Sequence, residues 1–374
     1  MKVDRASLGA KWKKIIIPGI LFTALICIIV VTNFGYYFRA SSTDLGQIKN
    51  VSNESGESKH IIPLDKLVSG GPPPDGIPSI DAPKFVSVAE ADKFLQNSDQ
   101  VVGVNIKGDI RTYPLQILVW HEIVNDFIGG SPVAITYCPL CFTNQVFNRT
   151  INSQIIEFGT SGKLYNSNLV MYDRTSKSLW SQSLGEGIVG KYAGTKLHKV
   201  PFDVAYWKEW KELYPDTKVL SRDTGSTRAY GADPYGDYYT SSDLFFPVSN
   251  HDNRLGLKEI VVGLHNGVSY KAYKLHQIED KKVINDQING KSFLLFSIHP
   301  FMVRVFDNMV DGQKLSFQIG QNNSKITDIQ TGSEWNFEGS ATSGPMKGKH
   351  LARLPIDEGF WFEWVAFHPD TAVY

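Results

Sequence analysis

The chain has 374 residues, 42% hydrophobic and 12% aromatic, with 38 basic residues balanced by 38 acidic ones. That composition supplies a core for one large domain or two ordinary ones and excludes a disordered tail. Zero formal charge argues against a nucleic-acid partner, and three cysteines are too few for a disulfide scaffold.

The balance conceals opposed segments. Residues 1–14 carry Lys2, Arg5, Lys11, Lys13 and Lys14 against the single Asp4, and Ile15 to Phe38 carry no charge at all. As a helix that run reaches about 36 Å, enough to cross a hydrocarbon layer of roughly 30 Å. Basic residues before it and Tyr36, Tyr37 and Phe38 at its exit predict a single-pass cell-membrane anchor over 15–38, with residues 1–14 cytoplasmic and the folded part extracytoplasmic. A cleaved signal peptide shares this pattern. The length of the run and the lack of a small-x-small site before Ser41 favour the anchor. Residues 39–70 read as a polar tether with sequons at Asn50-Val51-Ser52 and Asn53-Glu54-Ser55. Residues 71–99 open on Gly71-Pro72-Pro73-Pro74-Asp75-Gly76-Ile77-Pro78 and read as an irregular wrapping segment.

Beyond residue 100 the sequence repeats. Val102-Gly103-Val104 through Tyr113-Pro114-Leu115 matches Val262-Gly263-Leu264 through Tyr273-Lys274-Leu275. Ile123-Val124-Asn125-Asp126 then matches Val283-Ile284-Asn285-Asp286, Val146-Phe147-Asn148 matches Val305-Phe306-Asp307, and Trp180 matches Trp335. Trp207-Lys208-Glu209-Trp210 matches Trp361-Phe362-Glu363-Trp364, and both copies close on Pro-Asp-Thr. The expected fold is mainly β (α+β): two tandem related β-rich units with short helices, 100–220 and 259–374, separated by an insert over 221–258. Val133 to Tyr137 predicts a strand, and Gln145–Phe147 with Ile155–Phe158 predicts a hairpin about Asn152-Ser153. Asp203–Tyr214 predicts a helix started by a capping aspartate, and Leu115–Phe127 has helical spacing. The tryptophans that recur in both copies read as core.

What one copy alone carries is a candidate for function. Cys138-Pro139-Leu140-Cys141 has no counterpart in Phe296-Ser297-Ile298-His299-Pro300-Phe301, and Trp120-His121-Glu122 faces Asp280, Lys281 and Lys282. A CxxC pair brings two sulfurs within bonding distance of each other or of one metal ion, and such geometry commonly activates the first thiol. The third cysteine, Cys27, sits in the predicted span. Strand structure after the motif argues against a thioredoxin fold. The readings left open are thiol-disulfide exchange, with Cys138 attacking, Cys141 resolving and His121 tuning the protons; copper or zinc binding by Cys138, Cys141 and His121; and a structural disulfide in an extracellular binding module. In the last, Tyr230, Tyr235, Tyr238 and Tyr239 of the insert serve as a platform.

The motifs Ser69-Gly70-Gly71-Pro72-Pro73, Trp120 to Asp126, Thr136 to Cys141, Tyr165 to Arg174, Trp180-Ser181-Gln182 and Leu220 to Gly225 resemble the uncharacterised family called domain of unknown function 3179, over about 69–374. Some members are selenoproteins, which implies a redox-active chalcogen at the motif. Glu122, Tyr165, Asn166, Asp173, Arg174 and Trp180 are the candidate substrate or support residues. The expectation is a membrane-anchored extracytoplasmic thiol-disulfide redox protein with a protein thiol or disulfide partner and no resident cofactor.

Overall fold

Segments rich in β-branched and aromatic residues pair into antiparallel sheets, and the computed structural model of the chain is mainly β. It describes residues 59–320 and 325–374. The expected cytoplasmic N-terminus, the anchor over 15–38 and both sequons lie outside the described residues. Among the described residues no helix is long and apolar enough to cross a membrane.

The elements that position the site are, in chain order, β1 (Gln100–Ile106), β2 (Asp109–Pro114), α1 (Leu115–Leu118), β3 (Ile123–Ile128), β4 (Ser131–Cys138) and β5 (Thr143–Asn148). After them come β6 (Phe158–Tyr165), β7 (Asn168–Asp173), β8 (Leu179–Ser181), β9 (Asp203–Tyr206), α2 (Trp207–Leu213) and β10 (Lys218–Leu220). The later part contains β11 (Ile260–Asn266), β12 (Ser269–Lys274), α3 (Leu275–Lys281), β13 (Val283–Ile288), β14 (Lys291–His299), β15 (Met302–Asp307), β16 (Asp357–Phe360), α4 (Trp361–Phe367) and β17 (Ala372–Val373). One sheet runs β17-β12-β11-β16-β5-β4-β3, so strands from 259–374 continue into strands from 100–220. Another runs β9-β1-β2-β10 and ends on Phe85–Val86. A third runs β13-β14-β15 and ends on Ala352–Leu354.

Registers match between the early and late strands. Val102 lies opposite Tyr113 as Val262 lies opposite Tyr273. Ile123 faces Thr136 as Val283 faces Phe296, and Thr136 faces Gln145 as Phe296 faces Arg304. A Cβ at Gly103 would stand 2.2 Å from the ring of Trp210, and one at Gly263 would stand 2.2 Å from the ring of Trp364. Each glycine therefore lets an indole lie flat on the sheet, and each indole nitrogen donates to a threonine, Thr112 at 2.7 Å and Thr371 at 2.9 Å. The largest core cluster mixes Ile135, Val146 and Trp180 with Val262, Tyr273 and Phe360.

Local expectations need three corrections. Asp203 is not a helix cap but lies in β9, where its buried carboxylate takes a bidentate ion pair from Arg304 at 2.9 and 3.0 Å and a third bond from Arg353 at 2.7 Å. The helix starts at Trp207, after Tyr206. The helical spacing of Leu115–Phe127 yields only α1, because Glu122 takes φ +58° and Ile123 enters β3. Finally, Gln145–Phe147 pairs back onto β4, and Asn152-Ser153, both left-handed, closes the separate hairpin Thr150–Ile151 with Gln154–Ile155. The segment 71–99 bonds along the sheets through Asp75 to Thr160 and Ile80 to Ile123, and it also contributes strand Phe85–Val86 and the capped helix Val88–Ala91.

Candidate functional site

Cys138 is the last residue of β4 and Cys141 precedes β5, so the pair sits on the turn of a hairpin buried on both faces. The Cys141 amide donates to the Cys138 carbonyl at 3.3 Å, and Phe142 at φ +55° redirects the chain, as Phe301 does at φ +63° after Pro300. The turn conformation is thus found at Phe301 without cysteines, so it does not depend on the sulfurs. Both thiols are free and buried, at 1% and 0% exposure.

Two side-chain donors converge on the Cys141 sulfur, Asn168 Nδ2 at 3.1 Å and Thr143 Oγ1 at 3.1 Å. Asn168 is fixed by Gln182 Oε1 at 2.8 Å, and Gln182 in turn donates to Thr136 Oγ1 and to the Thr143 carbonyl. The carboxyl of Glu363 is buried nearby; burial pushes it up to about 7, against the smaller opposing pull of Ser183 and Thr143, and its Oε1 has no hydrogen-bond partner. Burial, the Cys138 thiol and then Glu363 drive the Cys141 thiol upward, with Thr143 acting in the opposite sense. A protonated Cys141, a hydroxyl that touches its sulfur and a carboxyl that titrates near neutrality thus lie close together in the buried site.

Sequence reasoning missed Thr143, Asn168, Gln182 and Glu363. A signal existed in the repeat. Thr136 and Thr143 occupy the register positions held by Phe296 and Met302 in the later hairpin, and Gln182 follows Trp180 as Phe337 follows Trp335. Where the first part makes the Thr136–Gln182 hydrogen bond, the later part packs Phe296 edge-on to Phe337 with centroids 5.1 Å apart. The fold is satisfied by apolar residues there, so the polar network is an addition.

The other predicted residues are distributed differently. Both ring nitrogens of His121 are occupied, Nδ1 by the Pro78 carbonyl at 2.7 Å and Nε2 by the Tyr230 hydroxyl at 2.6 Å. Neither bonds a sulfur, and burial holds its pKa below the ordinary value. Among the described residues no group of three or more His, Cys, Asp and Glu side chains is arranged to hold a metal ion. Glu122 is buried beside the site, its carboxyl raised to about 8 by burial. Its left-handed backbone recurs at Lys282, φ +62°. Asn166 bonds the Ala366 carbonyl and the Ser249 amide, and Tyr165 packs edge-on to Phe367. Asp173 and Trp180 are structural, since Trp180 Nε1 donates to Asp173 at 3.2 Å just as Trp335 Nε1 donates to Asp328 at 2.9 Å. Arg174 pairs with Asp81 at 2.9 Å and Asp75 at 3.4 Å, which ties down the wrapping segment.

The insert roofs the cysteine turn instead of presenting an outward platform. Tyr238 is buried and donates to the Leu140 carbonyl at 2.8 Å, Tyr230 holds His121, and Tyr235 and Tyr239 pack against the main core. Between insert and sheet lies a cleft of about 490 Å³ walled by Tyr137, Phe142, Tyr239, Phe301 and Phe360.

The family model for proteins of unknown function called DUF3179 matches residues 74–371. The chain belongs to this family. No curated protein and no solved structure matches it. The DUF3179 match takes in both cysteines, the insert and the Glu363 helix, so every group around the sulfurs lies inside the family domain.

Proposed function

We propose that this DUF3179 protein is a thiol-disulfide redox protein whose Cys138 and Cys141 cycle between dithiol and disulfide. The observation that carries the reading is the convergence of Asn168 and Thr143 on the Cys141 sulfur, with the buried Glu363 carboxyl near enough for its charge to act on that thiol. An inert bridge needs neither hydrogen-bond donors for a thiolate nor a proton acceptor. Cys138 attacks the partner's sulfur. Cys141 then gives its proton through the Thr143 hydroxyl to Glu363, and the resulting thiolate, steadied by Asn168, displaces the partner from Cys138. His121 in this scheme orders the insert over the turn through Tyr230.

The proposal includes two tandem β-rich units, supported by the matched registers and the paired Gly103–Trp210 and Gly263–Trp364 contacts. It also includes anchorage through 15–38 and an extracytoplasmic site, supported by the basic residues before that uncharged run. Titrating the anaerobically purified full chain against buffers of defined potential tests the redox step. Reversible two-electron titration above about −300 mV is expected. A pair still oxidised below that potential marks a structural bridge. Stoichiometric copper or zinc that a Cys138→Ser, Cys141→Ser variant loses defeats simple exchange.

A further inference from the structure

A dithiol that exchanges with a partner has to be reached, yet Cys138, Pro139, Leu140 and Cys141 are all buried. The fold by itself does not require that. In the matching turn of the later hairpin Ile298, His299 and Phe301 are half-buried and Pro300 is exposed. Turns ordinarily lie at the surface, as that one does. The cysteine turn is covered by the insert over 221–258, which meets it where the buried Tyr238 donates to the Leu140 carbonyl.

Backbone hydrogen bonds fix the insert at its two ends, where the Ser221 amide donates to the Lys84 carbonyl and the Phe362 amide to the Leu257 carbonyl. Among the described residues no backbone-to-backbone hydrogen bond joins 222–256 to the rest of the chain, and those within the segment close local turns. Bonds that involve side chains hold it down instead: Tyr238 to the Leu140 carbonyl at 2.8 Å, Tyr230 to His121 at 2.6 Å, Trp120 to the Ala232 carbonyl at 3.2 Å and Asn250 to the Ala366 carbonyl at 3.1 Å. The cleft of about 490 Å³ lies between Gly231, Ala232 and Asp233 of the insert and Phe301 and Phe360 of the sheets, so close packing is interrupted beneath the segment. A segment without strand pairing, fixed at its ends and undercut by a void, opens at lower cost than the strands below it.

The same segment holds the other cover of the attacking sulfur. Cys138 Sγ lies 3.9 Å from the Ser167 carbonyl, in the tight turn Asn166-Ser167, where both residues are left-handed. Asn166 accepts from the Ser249 amide of the insert at 2.9 Å. Asn166 and Asn250 also donate to one carbonyl, that of Ala366, at 3.3 and 3.1 Å. The insert therefore grips the turn over Cys138 through Ser249 and Asn250, and the cysteine turn itself through Tyr238. Gly225, left-handed at φ +81° and with nothing within 4 Å of a Cβ there, stands just inside the first fixed end and leaves the chain free to swing.

We infer that residues 222–256 are a hinged lid, latched at Tyr238 and at Ser249-Asn250, whose lifting opens Cys138 and Cys141 to the partner. This rests on the thiol-redox reading and names what controls access to its site. With the lid closed the sulfurs are at 1% and 0% exposure, out of reach of a protein disulfide and shielded from stray oxidants. Opening exchanges the latch hydrogen bonds for bonds to water or to the partner and leaves the sheets paired.

The test labels the reduced full-length chain with iodoacetamide at urea concentrations below the unfolding transition and follows the peptide carrying Cys138 and Cys141 by mass spectrometry. Labelling is expected to be much slower than that of a free thiol and flat in urea, because a lid exposes little surface when it opens. Tyr238→Phe and Asn250→Ala each remove one latch bond and should speed labelling about three- to tenfold. Gly103→Ala, which strains the Trp210 packing in a separate core cluster, should leave the rate unchanged. Labelling that rises with urea as steeply as global unfolding, that Gly103→Ala accelerates or that neither latch variant changes overturns the lid, and so does labelling at the free-thiol rate. In each of those cases the thiol reading stands. A pair that fails the redox titration defeats the thiol reading instead, while the labelling still reports the lid.

Discussion

Replacing Glu358 by glutamine is the sharpest check on the electrostatics of this site. Burial raises its carboxyl to about 8, with the charges of Asp203 and Glu279 adding to the effect, against 4.5 in the unfolded chain. Between those two values the folded state binds the proton that the unfolded state has already released. Stability from this group is therefore complete below pH 4.5 and is lost as pH rises through 8. At 1.36 kcal/mol per unit the cost is about 3 kcal/mol at pH 7 and about 4 kcal/mol at pH 8. Glutamine keeps the shape, does not titrate, and brings an amide that can donate to the unpartnered Asn144 Oδ1. Urea unfolding of the full chain at pH 5 and pH 8 is the assay. Glu358→Gln is expected to be near neutral at pH 5 and stabilising by a few kcal/mol at pH 8. A difference that is constant across this range refutes the assignment of a buried, unpaired carboxyl.

Other perturbations read other parts of the structure. Gly103→Ala drives a Cβ into the Trp210 ring and is expected to cost about 2–3 kcal/mol; a loss below about 0.5 kcal/mol in the same assay counts against the close approach. Arg304→Met leaves buried Asp203 with Arg353 alone and is expected to cost about 3–5 kcal/mol, measured by thermal or urea unfolding. An unchanged midpoint contradicts the pairing. Thr143→Val and Glu363→Gln each interrupt the proposed proton path from Cys141. Closure of the Cys138–Cys141 bond after a single equivalent of oxidant should slow about tenfold near pH 7 and lose its inflection there. A pH profile unchanged in both variants removes Glu363 from the mechanism.

The repeat was legible in the sequence because the contacts that define it are dense in tryptophan and glycine, the residues that substitute least freely under close packing. The sequence alone pairs Gly103 and Trp210 with Gly263 and Trp364, and the close approach of each indole to its glycine is the reason. Asp203 was misread because its partners, Arg304 and Arg353, lie far along the chain, and a local pattern cannot distinguish a cap from a long-range ion pair. His121 was drawn to the cysteines because it shares their copy. Its partners turned out to be Pro78 and Tyr230, from the wrapping segment and the insert, whose folding back no spacing rule predicts. Glu363 was missed for a more instructive reason. It belongs to a tetrapeptide whose tryptophans recur and read as core, so nothing marks the glutamate between them, yet the sheet order brings its helix beside the cysteines.

Glu122, Glu358 and Glu363 all have carboxyls raised by burial, to about 8, 8 and 7, and each destabilises the fold at neutral pH. At the matching positions stand Lys282, Val204 and the half-buried Glu209, so the architecture does not require buried acids. Two of the three, Glu358 and Glu363, lie within 259–374, in β16 and in the helix after it, and β16 pairs with β5 next to the cysteine turn. In the exchange proposed above, Glu363 is the proton acceptor for the buried thiol, and Ile260, Phe301 and Phe360 from the same part of the chain line the cleft. In that proposal residues 100–220 hold Cys138, Cys141 and His121, while the group that lets Cys141 ionise in a buried site, Glu363, comes from 259–374.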